Sequence, residues 1–221
     1  MFTGIVEGTA SVLAATARPG IQGGASGPGA ARRLVLDLGP LAAEVRLGDS
    51  VAVDGTCLTA VGVGGDQLGD PTLPPSAVAF DVVQETLDRT TLGELAPGRQ
   101  VNVERPMRAD ARFHGHIVSG HVDGTGTIRL MRREPGQVRL EVSLDPALSR
   151  YLVPKGSITV DGISLTVVDA QRDWFSVALI PHTLEVTTLR LKGEGQRVNL
   201  EVDAIGKWVE RLLSPWTASR A

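Results

Sequence analysis

A single cysteine, Cys57, in 221 residues excludes an intramolecular disulfide and makes the reducing cytoplasm the expected compartment. Charge of neither sign is in excess. The 22 Lys and Arg stand against 25 Asp and Glu, for a formal net charge of -3, which argues against nucleic acid or an anionic membrane surface as partner. No run approaches the roughly 18 consecutive apolar residues of a membrane span, so a soluble chain is expected. Ser11 to Ala17 has small residues, Ala15 and Ala17, spaced like a leader cleavage site, but no Lys or Arg precedes it and Glu7 interrupts it. It reads as mature chain.

What the sequence has is a repetition. Gly4 to Thr9 (GIVEGT), Ser50 to Val61 (SVAVDGTCLTAV), Thr86 to Leu92 (TLDRTTL) and Val101 to Glu104 (VNVE) return in order. The second versions are Gly120 to Thr125 (GHVDGT), Ser157 to Val168 (SITVDGISLTVV), Thr183 to Leu189 (TLEVTTL) and Val198 to Glu201 (VNLE). Of 29 aligned positions 19 are identical, where composition alone gives about one in fifteen. The offsets of 116, 107, 97 and 97 fall where the first copy carries extra loop residues. Two units are too few for a solenoid, so each copy is expected to close its own core. The predicted division is 1–116, 117–202 and a tail at 203–221.

Strand signals dominate both copies. Val138, Leu140, Val142 and Leu144 alternate with Arg139, Glu141 and Ser143, a period of two with one buried face. Leu34, Leu36 and Leu38 are the counterpart, and further strands are expected at Ile5–Val12, Ser50–Val53, Leu58–Val63, Val78–Val83 and Val101–Val103, each with a partner in the second copy. About six short strands per copy with glycine-rich turns predict a small closed barrel or sandwich, a mainly β fold. Helical turns are expected at Pro40–Leu47 and Pro146–Val153, each opened by proline, and at Thr86–Leu92 and Thr183–Leu189. Two loops are longer in the first copy, Arg18–Arg32 and Gly64–Ser76. The glycines of the first resemble a phosphate loop, but no Lys and Ser/Thr pair follows and a strand comes next, so a mobile hairpin loop is expected.

The tail is different. Ile205, Trp208, Val209, Leu212 and Leu213 form one helical stripe, capped at Asp203 and ended at Pro215. The stripe could fold back on its own domain or meet the same stripe of other subunits. Oligomerisation is the favoured reading, because two closed barrels leave little core uncovered.

Candidate chemistry is sparse. His114, His116 and His121 form an H-x-H-x4-H string, but few carboxylates flank it and Gly115 and Gly120 make it turn-like, which argues against a metal. His114 and His116 read as exposed linker imidazoles, whereas His121 sits inside a repeated phrase opposite Ile5. Cys57 aligns with Ser164, and alternation puts Cys57 with Thr59 and Ser164 with Thr166 on one face. That is either ordinary packing or a hydrogen-bonding wall. Ser164 lies in G-I-S-L-T, without the second glycine of a nucleophile elbow. Lys155 replaces Gly48 beside a repeated phrase.

The opening MFTGIVEGT, VDGTCLT, SGH, VDGISLT and the two TTL…VN(V/L)E endings resemble, in order, the riboflavin synthase family of the alpha subunit type, built from two lumazine-binding repeats. The resemblance covers Met1 to Leu213. It implies a homotrimer of subunits with two six-stranded Greek-key barrels, held together by the trailing helix. The implied reaction is a dismutation of 6,7-dimethyl-8-ribityllumazine to riboflavin and a ribitylaminopyrimidinedione, with no cofactor or metal. Relatives that bind lumazine or flavin without catalysis are the alternative. They tend to lose polar residues from one pocket, and both pockets keep them here.

Carried over position by position, the resemblance implies a first pocket of Gly4, Ile5, Val6, Ser50, Cys57, Leu58, Thr59, Asp81, Val82, Val83, Gln84, Glu85 and Thr86. The second would use Gly120, His121, Val122, Lys155, Ser164, Leu165, Thr166, Ala178, Leu179, Ile180, Pro181, His182 and Thr183, with Asp203 added. His121 is the leading acid-base candidate, Cys57 and Ser164 are competing activators, and Phe2 is a lid. His182 stands where the family usually has Glu, as Glu85 does in the first copy, and His114 replaces a glycine of the usual GGH.

Overall fold

The computed structural model describes residues 1–18, 31–65 and 70–218. Six strands, β1 (Gly8–Arg18), β2 (Ala31–Asp37), β3 (Ser50–Val53), β4 (Thr56–Val63), β5 (Ala77–Val82) and β6 (Gln100–Glu104), close a barrel in the order β1-β2-β5-β4-β3-β6. The second copy supplies β7 (Gly124–Glu134), β8 (Gln137–Ser143), β9 (Ser157–Val160), β10 (Ile163–Ala170), β11 (Trp174–Leu179) and β12 (Arg197–Val202). They close a second barrel in the equivalent order, all pairs antiparallel.

Alternation decides what fills each barrel. Leu34, Leu36, Val78 and Phe80 point into the first, and Leu140, Val142, Phe175 and Val177 into the second, so each copy has its own apolar core. Closing so few strands needs sharp local curvature, and the register shifts at Leu13 and Val61 of the first barrel and at Arg129 and Val168 of the second. These bulges occupy matching repeat positions and bend the same strands. Residues 19–30, most of the first extended loop, and 66–69, part of the second, lie outside the described residues.

Several helix boundaries differ from expectation. The turn after β2 is a 3-10 helix at Gly39–Glu44, and α2 spans only Pro146–Ser149, capped where Asp145 accepts from the Ala147 N–H at 2.8 Å. The turns expected at Thr86–Leu92 and Thr183–Leu189 are each split in two. Helices α1 (Gln84–Arg89) and α3 (Pro181–Val186) stop at Thr90 and Thr187, whose extended backbone opens 3-10 turns at Thr91–Glu94 and Thr188–Leu191. The Thr90 and Thr187 hydroxyls donate at 2.6 Å to the Thr86 and Thr183 carbonyls, which is the physical content of the repeated T-L-x-x-T.

Helix α4 spans Ala204–Ala218, so Pro215 does not end it. Proline removes one intrahelical donor, yet its fixed φ is itself compatible with helix. Asp203 caps the start, accepting from the Ile205 N–H at 2.9 Å. No helix among the described residues is long and apolar enough to cross a membrane.

The barrels meet back to back about a local two-fold axis. The β3–β4 and β9–β10 turns are Asp-Gly pairs with positive φ throughout, Asp54 at 43°, Gly55 at 79°, Asp161 at 47° and Gly162 at 80°. Asp-Gly is the preferred chemistry of such tight hairpins. The turns press together so closely that a Cβ on Gly55 would lie 2.6 Å from the Gly162 nitrogen. Asn102 and Asn199 staple them. Asn102 Nδ2 donates to the Asp161 carbonyl and Asn199 Nδ2 to the Asp54 carbonyl, both at 2.8 Å, while their Oδ1 atoms accept from the Thr188 and Thr91 N–H groups.

The symmetry fails in its charges. Lys192 donates to Asp161 at 2.5 Å, but Leu95 takes the matching place beside Asp54. Burial, then the Asp161 charge, push the Asp54 carboxyl up to about 8, with Lys192 opposing. A raised carboxyl pKa means that between about pH 4 and pH 8 the folded chain keeps a proton that the unfolded chain releases. Stability falls across that window as pH rises. Asp54→Asn keeps the acceptor for the Asn102 N–H and removes the titration. Its melting temperature is expected to exceed that of the unaltered protein by more at about pH 8.5 than at about pH 5.5, and an equal difference at both would refute the assignment.

Candidate active site

Each repeat begins with a phrase that leaves its own barrel and docks on the other. Ser164 of β10 donates its N–H to the Gly4 carbonyl at 2.7 Å, and Cys57 of β4 donates to the Gly120 carbonyl at 2.8 Å. Val6 packs against the second core. The phrases are anchored by the terminal glutamates of the V-N-x-E motifs. Glu104 accepts from the Thr3 N–H, the Thr3 hydroxyl and the Gly4 N–H at 2.6, 2.8 and 2.9 Å. Glu201 does the same for Ser119 and Gly120 at 2.8, 2.6 and 3.0 Å. Burial raises the Glu104 pKa, and these donors partly offset it.

The expected grouping is therefore exchanged. Gly4 to Val6 belong with Ser164 and the second barrel, and Gly120 to Val122 with Cys57 and the first. Gly4 and Gly120 have φ of 75° and 79°, and a Cβ on either would sit 2.6 Å from the Cβ of Ser164 or Cys57. Only glycine permits both the left-handed turn and the contact.

The thiol and hydroxyl lie on the outer faces of the barrels, where alternation places them. Leu58 and Leu165 point into the cores, while Cys57 and Ser164 are half-buried and Thr59 and Thr166 exposed. Val82 and Leu179 are likewise core residues. Val83 and Ile180 instead stand out at 54% and 56% exposure, near exposed Gln84, Glu85, Pro181 and His182. Thr86 and Thr183 serve through their carbonyls, as above, and Ala178 is exposed. Asp81 is held by Arg33 at 2.8 Å, and Ser50 pairs with Thr59 across β3 and β4. Each predicted pocket is thus an open platform with apolar and hydroxyl patches.

Phe2 is not a lid. It is fully buried with Val118 and Ala52, and its backbone bridges Val118 with bonds of 2.8 and 3.1 Å, so it wedges the two repeats together. Lys155 is exposed with a φ of 70°, at the position where Gly48 has 90°. A lysine in the left-handed region is strained, which marks a position where a side chain is retained against local cost.

The histidines separate. His114 is exposed. His121 is also exposed, and its N–H donates to the Ser119 hydroxyl at 3.3 Å. His116, read from sequence as an exposed linker residue, turns inward. Its Nδ1 lies 2.7 Å from the Ser164 hydroxyl and its Nε2 3.3 Å from that of Thr159, while its N–H donates to the Thr3 carbonyl. The sequence did hold one signal, the neighbouring Gly115. A Cβ there would lie 2.1 Å from the Thr3 oxygen, so a larger residue would keep the imidazole out. Burial lowers the His116 pKa, and the Asp203 and Glu201 carboxylates partly oppose it. Among the described residues no three His, Cys, Asp or Glu side chains converge as metal ligands.

A cavity of about 560 Å³ lies on the two-fold junction, lined by Asp54, Arg99, Lys192 and Arg197, away from both platforms. A second, of about 370 Å³, includes Ile5, Ser50 and Arg105.

Comparison with known proteins agrees with the duplicated geometry. The lumazine binding domain model matches residues 3–106 and 119–203. Riboflavin synthase of Mycobacterium bovis is 47% identical over 220 residues, covering 96% of this chain and 98% of that protein. Riboflavin synthase of Bacillus subtilis is 39% identical over 213 residues, covering 96% and 90%. Among solved structures, LumP complexed with 6,7-dimethyl-8-(1'-D-ribityl) lumazine has a TM-score of 0.74 at 20% identity, covering 92% of this chain and 99% of that one. LumP complexed with riboflavin has a TM-score of 0.76, also at 20% identity. At that identity the likeness shows the fold alone. Both matched domains together with near full-length identity to the synthases place this chain in the riboflavin synthase family.

Proposed function

We propose that the chain catalyses the dismutation of two 6,7-dimethyl-8-ribityllumazine molecules, one giving a four-carbon unit to the other, to form riboflavin and 5-amino-6-(D-ribitylamino)uracil. The observation that carries this is the 47% identity to a riboflavin synthase over 96% of the chain, with a thiol or hydroxyl platform intact in both repeats. The reaction joins two copies of one substrate. Two related pockets suit it, because holding both rings in register makes a bimolecular encounter effectively unimolecular.

The chemistry asks for two different services. The C7 methyl of one lumazine is acidic because its carbanion delocalises into the pteridine, so a base removes that proton. The other ring is activated at C7 by a nucleophile, for which Cys57 and Ser164 are the candidates. Backbone groups of the leading phrases and the hydroxyls of Thr59 and Thr166 suit the pteridine edge and ribityl chain, and Lys155 offers a charge beside the second platform.

Assembly belongs to the same proposal. Helix α4 holds its own barrel by its polar side: Glu210 accepts from Arg150 at 2.7 Å and from the Tyr151 hydroxyl, and Lys207 pairs with Asp123 at 2.7 Å. Its apolar stripe faces away, with Trp208 67% and Leu212 69% exposed. A cytoplasmic homotrimer joined by these stripes would set the first barrel of one subunit against the second barrel of its neighbour, covering Val83 and Ile180. Incubating the purified protein with the lumazine is expected to produce riboflavin absorbance. Binding of lumazine with no turnover would instead make it a carrier of the same fold.

A further inference from the structure

The two platforms are not chemically equivalent, and one difference is an imidazole bonded to the Ser164 hydroxyl. In the second barrel the Ser164 hydroxyl is 2.7 Å from His116 Nδ1, and the opposite ring nitrogen is 3.3 Å from the hydroxyl of fully buried Thr159. Thr159 lies on β9, directly across from Ser164 in the β9–β10 register. The backbone that carries the ring is tied down by the bond from the His116 main-chain N–H to the Thr3 carbonyl at 3.1 Å. In the first barrel Cys57 takes the place of Ser164, and among the described residues no group is hydrogen-bonded to its sulfur.

A neutral imidazole has one donor and one acceptor nitrogen, and the bond made by one sets the role of the other. With the proton on Nε2 given to Thr159, Nδ1 is an acceptor aimed at the Ser164 hydroxyl. The charged groups facing the ring are the carboxylates of Glu201 on β12 and Asp203 before α4, which favour its protonated form, while burial disfavours it and keeps the ring neutral at neutral pH. Glu201 is committed to Ser119 and Gly120, and Asp203 to the start of α4, so neither competes for Nδ1.

We infer that His116 is the positioning and proton-accepting partner of Ser164, and that the second platform is where a lumazine is attacked at C7. The inference rests on the dismutase reading above. As the Ser164 Oγ–C7 bond forms, the hydroxyl proton passes to His116 Nδ1 and the C7 π electrons are taken up by the pteridine ring. When the Oγ–C7 bond later breaks, the same proton returns to the oxygen, so no external oxidant or reductant is needed. The ring on the Cys57 platform then takes the complementary part, losing its C7 methyl proton. His116 Nδ1 is bonded to the serine hydroxyl, so its effect is exerted through Ser164.

The test is the pH dependence of riboflavin formation in the full-length protein, with riboflavin binding measured alongside. The unaltered enzyme is expected to lose kcat/KM on the acid side with a midpoint below the usual imidazole value, as His116 takes up its proton. His116→Gln should lower kcat by about 100-fold or more, leave KM within a few-fold, and lack that acid limb. Cys57→Ser should keep the limb. Because His116 acts through Ser164, adding His116→Gln to Ser164→Ala should cost nothing beyond Ser164→Ala alone. An acid limb retained in His116→Gln, or losses that multiply in the double variant, would overturn the relay. If His116→Gln fails to bind riboflavin, Ser164→Ala decides, since it must lose the same limb. Unaltered protein that forms no riboflavin would overturn the dismutase reading itself.

Discussion

Glutamate at both Trp208 and Leu212 is expected to leave two folded barrels that still bind lumazine but form riboflavin at least about 100-fold more slowly. Both side chains are more than half exposed and make no part of either core, so their replacement has little to disturb in the single chain. In an assembly the same positions would be buried. Two carboxylates per helix brought together about a symmetry axis repel and lose hydration, which opposes closure. If the reacting pair comes from two subunits, separated subunits keep each half-site and lose the orientation that makes the encounter unimolecular, a contribution of about 7–11 kcal/mol in favourable cases. Light scattering should show the mass of one chain. A variant of single-chain mass with full turnover would show that one chain holds a complete site.

Gly4→Ala is the second large effect, and it works through the backbone. A Cβ at Gly4 would lie 2.6 Å from the Ser164 Cβ and 2.9 Å from its nitrogen, and the residue would have to hold a φ of 75°. The left-handed conformation costs about 1–2 kcal/mol, and losing the Ser164 to Gly4 bond adds about 1 kcal/mol. Together about 2–3 kcal/mol lowers the melting temperature by roughly 4–12 °C for a chain of this size. Turnover should suffer more than stability. Ser164 must retreat from the leading phrase, and a displacement near 1 Å at a reacting centre can cost about 100-fold. Calorimetry and a riboflavin assay on the same sample check both. An unchanged rate with a lowered melting temperature would mean that the crossed contact is only structural.

The strands were readable because their physics is local. Val138 to Leu144 alternates cleanly, and β8 lies where that alternation puts it. The duplication predicted two units with separate cores, barrel or sandwich, and the Asp-Gly pairs inside the repeated phrases are tight-hairpin chemistry. The exchange of leading phrases was not readable. Gly4 bonds to Ser164 160 residues away, and since both copies carry nearly the same chemistry, docking at home or across satisfies the same pattern. His116 was misjudged for a related reason. Glycine beside a histidine suggests an exposed turn, yet at Gly115 the missing Cβ is what lets the chain pass against Thr3. The helix boundaries moved because threonine hydroxyls, not residue propensities, end α1 and α3.

The back-to-back junction also bears on how the chain folds. Asn102 serves its own barrel through the N–H it gives to Asp54 and the other through its side chain, and Asn199 mirrors it. Each leading phrase is anchored in one repeat and finished in the other. Neither core can therefore open without exposing backbone groups that the other half had satisfied. Two hydrophobic cores would ordinarily mean two independent transitions, but here the cooperative unit is the pair, and a local opening in one repeat is transmitted to the walls of both pockets.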